Sequence, residues 1–311
     1  MRTDRVHKRR QAAALGVLAV VVAGGAIALA GGGDEPPARA GARATPEPKR
    51  PELPGGGRTI LPGKRVVAFY GNPADDELGV LGIGRPDAAA RKLLRQAKAY
   101  DRPKRPVLPA MELISTVATF DAGPDGLYRR HERNATIRRY LRAARRIGAL
   151  LVLDIQPGRA DFFEETTRLE RWLREPDVGL ALDPEWRVAD GQVPGQVIGS
   201  VTVREVNAVS AWLDQLTARH DLPQKLLVLH QFTFGMIQDR DGLQQRDNVA
   251  IVINADGFGS REVKSAKYEA FQKGTRGLHE GFKLFYREDL RLMRPRQVLR
   301  LRPSPDFVVY E

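Results

Sequence analysis

Short runs of β-branched and aliphatic residues alternate with amphipathic segments from residue 65 to the end of the sequence. Such runs, bounded by polar residues and turn residues, predict buried strands. The eight predicted strands span residues 66–71, 107–112, 149–155, 178–183, 225–230, 249–254, 282–286 and 307–310. Between them, apolar residues recur at helical spacing, as in Phe162, Leu169 and Leu173. The pattern therefore predicts a chain of alternating strands and helices.

Helices are predicted at residues 88–100, 137–147, 162–173, 202–216 and 261–272. The fourth of these begins with Thr202-Val203-Arg204-Glu205, which has the residue types of a capping box. In such a box, the threonine oxygen accepts a hydrogen bond from a free amide of the first turn, and the glutamate reaches back to the threonine amide.

Eight strands with intervening helices over residues 65–311 match the size of an α/β fold of the (β/α)8 barrel type. Strands that are apolar on both faces suit a parallel sheet. The rival is a doubly wound open sheet, which requires a glycine-rich turn directly after the first strand. Gly79-x-x-Gly82-x-Gly84 has the wrong spacing for that turn and lies too far beyond Gly71. The sequence therefore favours the barrel.

Residues 1–30 combine a cationic start with an uncharged apolar run from Ala12 to Ala30. This predicts either a signal peptide, since Ala28-Leu29-Ala30 has the A-x-A form of a cleavage site, or a transmembrane anchor, since the run is long enough to span a bilayer. The positive flank predicts a cytoplasmic N-terminus. The folded domain is then expected outside the cytoplasm, at the cell membrane or secreted if the chain is cleaved after Ala30.

Residues 31–64 are rich in glycine, proline and charged residues, which predicts a disordered linker. The expected organisation is thus a signal peptide or anchor at residues 1–30, a linker at residues 31–64 and a barrel at residues 65–311.

Composition narrows the chemistry. The 311-residue chain has no cysteine and five histidines, which excludes thiol nucleophiles, disulfides and thiolate metal sites and argues against a histidine-rich metal site. Half of the net charge of +12 lies before residue 65, leaving about +6 on the predicted barrel, which is less than a dedicated nucleic-acid binder carries. No metal, other cofactor or nucleic-acid partner is predicted; a divalent cation held by aspartate and glutamate is an alternative for which no spacing in the sequence is specific.

A basic helix follows the second predicted strand, with Arg138, Arg142 and Arg145 on one face. This face is either a solvated outer surface of the barrel or a contact for an anionic polymer or lipid surface. Binding of nucleic acid by the same helix is a further alternative, which predicts a steep dependence on salt.

Active sites of (β/α)8 barrels lie at the C-terminal ends of the strands. Polar or acidic residues stand at nearly all of these ends: Tyr70, Asn72, Glu112, Asp154, Gln156, Asp183, Glu185, His230, Gln231, Asn254, Asp256, Tyr286 and Glu288. Any one of them can be a helix cap, an ion-pair partner or a solvated group. Their convergence on one rim predicts a polar cleft.

The fourth predicted strand ends in Asp183-Pro184-Glu185-Trp186. An Asp-x-Glu followed by an aromatic residue at this place resembles barrels of the glycoside hydrolase superfamily, notably chitinase-like and lysozyme-like members. The resemblance implies that Glu185 donates a proton to the glycosidic oxygen and that Asp183 tunes it, because a neighbouring negative charge raises the pKa of a carboxyl group. Two further aspartates of the chitinase-like pattern are replaced here by Val178 and Ala181.

A glycosidase needs a second carboxylate, about 5 Å from the acid for retention or roughly 6.5–9.5 Å for inversion. The candidates are Glu112, Asp154, Asp256 and Glu288, of which Glu288 follows the seventh predicted strand, where many such enzymes place their nucleophile. Tyr70, Trp186, Phe232 and Tyr286 are candidates for stacking on sugar rings. Asn72, His230 and Gln231 are candidates for binding sugar hydroxyls, with His230 alternatively a buried structural residue.

A metal-dependent amidohydrolase is excluded because no His-x-His follows the first strand. The resulting hypothesis is an exported, membrane-tethered, glycoside-hydrolase-like protein that acts on a polysaccharide of the cell envelope by carboxylate acid catalysis. The alternative is a barrel without catalysis that binds envelope carbohydrate or another surface polymer. The sugar, the stereochemical outcome and the oligomeric state stay open.

Overall fold

The computed structural model describes residues 50–311, which contain a closed barrel of eight parallel strands. In chain order the strands are β1 (Arg65–Gly71), β2 (Val107–Ala118), β3 (Arg129–His131), β4 (Leu150–Ile155), β5 (Val178–Leu182), β6 (Val201–Thr202), β7 (Lys225–Gln231), β8 (Ile237–Gln238), β9 (Val249–Ala255), β10 (His279–Leu284) and β11 (Phe307–Tyr310). The barrel runs β1-β2-β4-β5-β7-β9-β10-β11, and β1 pairs with both β2 and β11. This closure confirms the predicted (β/α)8 barrel and excludes the open sheet.

Helices cover the outside of the barrel. They are α1 (Pro86–Lys98), α2 (Asn134–Arg146), α3 (Phe162–Arg168), α4 (Glu170–Leu173), α5 (Val203–Arg219), α6 (Arg261–Phe271) and α7 (Pro295–Val298). Their apolar residues, such as Leu93, Leu141 and Leu213, are fully buried against the outward-facing side chains of the strands. The apolar stripes read in the sequence therefore mark the faces that these helices bury.

The start of α5 differs in one respect from the predicted capping box. The Thr202 side chain accepts a hydrogen bond from the Glu205 amide, as expected. The Glu205 carboxylate, however, accepts from the Phe162 amide at 2.9 Å and from Arg187 at 3.3 Å. Glu205 therefore joins the start of α5 to the start of α3. Its carboxylate bonds to the Phe162 amide and Arg187 in place of the Thr202 amide.

Three short strands and one extension were not predicted. β2 continues six residues beyond Glu112, with a bulge between Ile114 and Thr116, and its far end pairs with the antiparallel strand β3. β6 and β8 form a separate two-residue parallel pair. The prediction that Glu112 ends its strand is therefore wrong, because Glu112 is buried and the β-prone run continues through it to Ala118.

The barrel interior has two layers of different chemistry. Alternate residues of each strand point inward. The lower layer, towards the start of the strands, is apolar and consists of Val66, Leu108, Leu150, Leu226, Val252, Phe307 and their neighbours. The upper layer, towards the strand ends, holds at least one polar side chain from each barrel strand or the residue directly after it, among them Tyr70, Glu112, Asp154, Asp183, His230, Asp256, Lys283 and Glu311.

The segment before β1 belongs to the folded barrel domain. Leu53, Ile60 and Leu61 are buried in the same apolar cluster as the lower layer. The Arg58 side chain also donates hydrogen bonds to Asp221 and to the Leu222 carbonyl. The prediction of a linker up to residue 64 is therefore wrong for residues 51–64, because three apolar side chains in a glycine-rich segment are enough to cover the barrel floor.

The predicted signal peptide or anchor, and the first part of the predicted linker, lie outside the described residues. Among residues 50–311, no helix is both long and apolar enough to cross a membrane.

Candidate active site in the upper layer of the barrel

Lys283 on β10 is the cation at the centre of the upper layer. Its Nζ lies 3.0 Å from Asp256 Oδ2, 2.7 Å from Glu311 Oε2 and 4.0 Å from the centre of the Tyr70 ring. Burial alone would lower the pKa of this lysine, but the charges of Asp256, Glu311 and Asp183 raise it well above its usual range. Lys283 is therefore a fixed positive charge and is unsuited to act as an amine nucleophile.

His230 on β7 connects Asp256 to Glu112. Its Nδ1 donates to Asp256 Oδ2 at 2.9 Å, and its Nε2 donates to Glu112 Oε1 at 3.1 Å. Burial would lower the pKa of the imidazole, but the charge of Glu112 and the hydrogen bonds to Asp256 and Glu112 raise it well above its usual range. With both ring nitrogens engaged, His230 organises the barrel interior and does not face the cleft.

Tyr70 on β1 connects the cleft to Asp154 on β4. Its hydroxyl donates to Asp154 Oδ2 at 3.1 Å and accepts from Gln156 Nε2 at 3.2 Å. Asp154 is fully buried beneath this pair. Burial raises the pKa of Asp154 to about 7, the Glu112 charge adds to the rise, and His230 opposes it.

A cleft of about 180 Å³ opens above this network. Among the groups that line it are the polar side chains Tyr70, Gln156, Asp183, Glu185, Asp256, Lys283 and Glu311. Asp183 follows β5 directly, and Pro184–Trp186 form one 3-10 turn that brings Glu185 and Trp186 to the same cleft. The Glu185 carbonyl accepts from the Gly199 amide at 2.7 Å, which fixes this turn against the following loop.

The acidic groups of the cleft fall into two electrostatic classes. Burial raises the pKa of Glu185 to about 6, with the charge of Asp256 adding to the effect. Burial also raises the pKa of Asp183 well above its usual range, helped by the charges of Asp154 and Glu185. Burial would raise the pKa of Asp256 too, but Lys283 and His230 hold it well below its usual range. The cleft thus combines carboxyl groups whose pKa is raised by burial with one, Asp256, whose pKa is lowered, and acid-base catalysis uses pairs of this kind.

The cause of the raised pKa of Glu185 differs from the one that the Asp-x-Glu resemblance implies. The largest contribution to the raised pKa of Glu185 is burial, and the largest charge contribution comes from Asp256, which directly follows β9. The sequence-adjacent Asp183 was expected to supply that charge. Instead, burial raises the pKa of Asp183 itself well above its usual range.

Aromatic side chains surround the acidic groups. Trp186, Phe232, Phe258 and Phe285 line the cleft, and Phe258 is 57% exposed. Phe258 packs edge-on against Phe285 at 5.9 Å between ring centres, and Lys267 lies 4.3 Å above the Phe232 ring. The cleft therefore offers flat apolar surfaces next to hydrogen-bonding groups, which suits a ligand with both kinds of surface.

Several of the predicted site residues lie away from the cleft lining. Asn72 is buried and donates to the Ile114 carbonyl and to Glu132, so it holds the loop after β1. Gln231 accepts from Arg240 at 2.7 Å and donates to the Thr233 carbonyl.

Tyr286 and Glu288 lie on the loop after β10. Tyr286 stacks on Tyr310, and both Tyr286 and Glu288 line a second depression, which shares Glu311 with the cleft. Glu288 is exposed and does not line the cleft that contains Glu185. The structure therefore does not bring together Glu288 and Glu185, because β10 ends at Leu284 and the chain turns outward before Glu288.

The sequence reasoning missed two central residues, Lys283 and Glu311. Lys283 interrupts the apolar run Phe282-Lys283-Leu284, and a charged residue inside a predicted buried strand was a usable signal. Glu311 directly follows the last strand, so the rule that selected the other strand ends also applied to it.

No protein-family model matches the chain, and no curated protein matches it. Similar solved structures include a wild-type sialic acid aldolase from Ruminococcus gnavus, with 12% identity, a TM-score of 0.36, and coverage of 80% of this chain and 68% of that one. A GH5-4 broad-specificity endoglucanase from Clostridum cellulovorans shows 11% identity and a TM-score of 0.43 over 81% of this chain and 85% of that one.

A GH5 xyloglucan-specific endo-β-1,4-glucanase from a metagenomic library, solved with cellotriose, shows 12% identity and a TM-score of 0.39 over 78% of this chain and 86% of that one. The similar structures thus include glycoside hydrolase barrels, the class that the strand-end Asp-x-Glu resembles. At these identities and TM-scores, the similarity concerns the fold alone and carries no function.

Proposed function

We propose that this protein is a carbohydrate-active barrel in which Glu185 is the general acid for cleavage of a glycosidic bond in a cell-envelope polysaccharide. The observation that carries the proposal is the convergence of Glu185, Asp183 and Glu311 on one cleft that aromatic side chains also line. A glycosidase requires a protonated carboxyl group and an ionised one on opposite sides of the scissile bond.

The raised pKa of Glu185 supports its role as the acid. A carboxyl group with a pKa of about 6 is about one-tenth protonated at pH 7, whereas an ordinary glutamate is protonated to well under about 1%. Glu185 is half-buried and lines the cleft, so it can approach a bound ligand.

For the second carboxylate we propose Glu311. Its Oε2 lies 2.7 Å from Lys283 Nζ, and its side chain lines the cleft and is 21% exposed. Asp256 is less suited, because Oδ2 accepts from His230 and Lys283 and Oδ1 accepts from the Gly257 amide. Asp154 and Glu112 are fully buried and do not line the cleft.

The test is hydrolysis by the full-length protein, purified in detergent, of peptidoglycan, chitin-type polymers and α- and β-glucans. We expect Glu185→Gln to lower kcat/KM by about 10²- to 10⁴-fold, the usual contribution of a general acid. Glu269→Gln on the exposed face of α6 is the matched control and should retain wild-type turnover. Equal rates for Glu185→Gln and wild type would refute the assignment of the acid.

A second candidate function is binding of carbohydrate without catalysis. The observation that favours it is Lys283, which stands on the seventh barrel strand where the resemblance places a nucleophilic carboxylate. Binding of a polysaccharide by wild type and by Glu185→Gln with equal affinity, together with no turnover in either, would support this candidate over hydrolysis.

We further propose that the protein is exported and held at the membrane by residues 1–30. The support is the cationic start and the uncharged apolar run of this segment. Fractionation of cells combined with intact-mass measurement tests it. An anchored protein sediments with membranes at full mass, a cleaved one is released and begins after Ala30, and recovery in the cytoplasm would refute export.

A further inference from the structure

Three side chains that do not line the cleft converge beneath its floor. Glu112 on β2, Asp154 on β4 and His230 on β7 are each at most 1% exposed. One ligand-type atom from each lies within 4.8 Å of the other two. This separation is short enough for a single small cation to contact all three groups.

Each carboxylate in this group has one oxygen held and one oxygen free. Glu112 Oε1 accepts from His230, and Asp154 Oδ2 accepts from Tyr70. Glu112 Oε2 and Asp154 Oδ1 are buried and have no hydrogen-bond partner among the described residues. A buried carboxylate oxygen without a donor is costly, so a ligand that satisfies both free oxygens would stabilise the barrel interior.

The surroundings of His230 are those of a metal-ligating histidine. Its Nδ1 donates to Asp256 Oδ2 at 2.9 Å, and the same oxygen lies 3.0 Å from Lys283 Nζ. In metal sites, a carboxylate commonly holds one ring nitrogen of the histidine in this way while the other nitrogen binds the metal. Here Nε2 is directed at Glu112 Oε1, to which it donates, and binding of a metal would release that proton.

The excess of carboxyl groups over cationic side chains in the upper layer also favours a bound cation. The cleft and its floor contain six carboxyl groups, namely Glu112, Asp154, Asp183, Glu185, Asp256 and Glu311, whereas Lys283 and His230 are the cationic groups of the upper layer as defined above. Bound cations are often the largest local charges in such a site, and a divalent ion would favour the ionised forms of the carboxyl groups beside it.

We propose that Glu112, Asp154 and His230 bind a divalent transition-metal cation beneath the cleft. Two carboxylate oxygens and one imidazole nitrogen suit Zn²⁺ or Mn²⁺, whereas Ca²⁺ and Mg²⁺ prefer oxygen ligands throughout. Tyr70 and Asp256 act as positioning residues that orient Asp154 and His230. The site is independent of the hydrolytic function proposed above, since it uses none of the groups assigned to that chemistry.

The experiment measures metal binding. Full-length protein is stripped with EDTA, titrated with MnCl₂ or ZnCl₂ alone, and its bound metal is quantified after gel filtration alongside its Tm. We expect about one metal ion per chain and a Tm that rises with metal concentration. Glu112→Gln and Asp154→Asn should each weaken binding at least about 10-fold, while Glu269→Gln should bind as wild type does.

Two measurements keep the proposal testable if a ligand variant fails to fold. Asp256→Asn leaves all three ligands in place and should weaken metal affinity by about 10- to 100-fold. Anomalous diffraction from wild-type crystals grown with MnCl₂ should locate the ion between Glu112, Asp154 and His230. Absence of stoichiometric metal, an ion located elsewhere, or unchanged affinity in Glu112→Gln would overturn the proposal.

Discussion

The lower and upper layers of the barrel interior are built on the same eight strands, yet they differ in almost every physical property. In the lower layer, side chains such as Leu226, Val252 and Phe307 pack with little exposed surface and no polar atoms. In the upper layer, charged groups such as Lys283, His230 and Asp256 hold one another through short contacts. Burial of apolar surface in the lower layer stabilises the fold. In the upper layer, burial of charged groups costs desolvation energy, which their ion pairs offset.

This difference indicates where the molecule tolerates poor local energetics. The buried, unpartnered oxygens of Glu112 and Asp154 both belong to the upper layer. Local conflicts of this kind are expected at functional sites, because a sequence selected for stability alone would remove them. The lower layer should therefore respond to changes in volume, and the upper layer should respond to changes in charge.

Removal of the central cation should have the largest effect on stability. We expect Lys283→Met to lower the free energy of unfolding by about 3–5 kcal/mol, because it leaves Asp256 and Glu311 without their buried partner. Urea denaturation measures this, with Lys92→Met on the exposed face of α1 as the control. The triple variant Lys283→Met, Asp256→Asn, Glu311→Gln should regain part of the loss, and no recovery would argue that packing rather than charge is decisive.

A cavity in the lower layer should have the second-largest effect on stability. Leu226→Ala removes a fully buried side chain and should cost about 2–5 kcal/mol at any pH and salt concentration. Leu290 is 69% exposed, so Leu290→Ala should change stability by less than about 0.5 kcal/mol. A strong dependence of the Leu226→Ala effect on pH would contradict the separation of the two layers.

Overpacking of the lower layer should have a smaller effect. A Cβ added to Gly179 would lie 3.0 Å from the Leu226 carbonyl oxygen and 3.2 Å from its Cβ, so Gly179→Ala should destabilise the barrel by about 1–3 kcal/mol. Gly63 has open space around it, and Gly63→Ala serves as the matched control. Thermal unfolding of the two variants measures the difference, and equal Tm values would show that β5 and β7 can separate without cost.

The pH dependence of turnover tests the upper layer through the smallest expected effect. The acid must be protonated, and the pKa of Glu185 is about 6, so kcat/KM should be highest below pH 6 and fall about tenfold per pH unit above it. Each such unit corresponds to about 1.4 kcal/mol of activation free energy. A profile that stays flat up to pH 8 would exclude Glu185 as the acid.

The fold was accessible from the sequence because the signals that define it are local. All eight predicted strands are barrel strands, and the capping function of Thr202 was readable from a four-residue pattern. The segment at residues 51–64 was assigned to a linker because of its glycine, proline and charged residues, and its three buried apolar residues, Leu53, Ile60 and Leu61, show no periodicity. Their burial depends on the barrel floor, which is formed by residues far away in the chain.

The site was only partly accessible. The strand-end rule found Asp183, Glu185, His230 and Asp256, because parallel strands end at one rim. It also selected Glu288, which the outward turn after β10 carries away from the cleft. Hydrogen bonds such as the one between His230 and Glu112 depend on the closure of the barrel, so no local sequence pattern predicts them. The catalytic and binding roles of these residues stay predictions.

Trp186 has a practical consequence. The chain contains three tryptophans, and the other two, Trp172 and Trp212, pack against the core beneath the helices. Trp186 is the one of the three that lines the cleft, where it is half-buried. The protein therefore carries its own optical reporter: a ligand that enters the cleft should change the intrinsic fluorescence of Trp186 against a constant background, so that binding can be followed without a label.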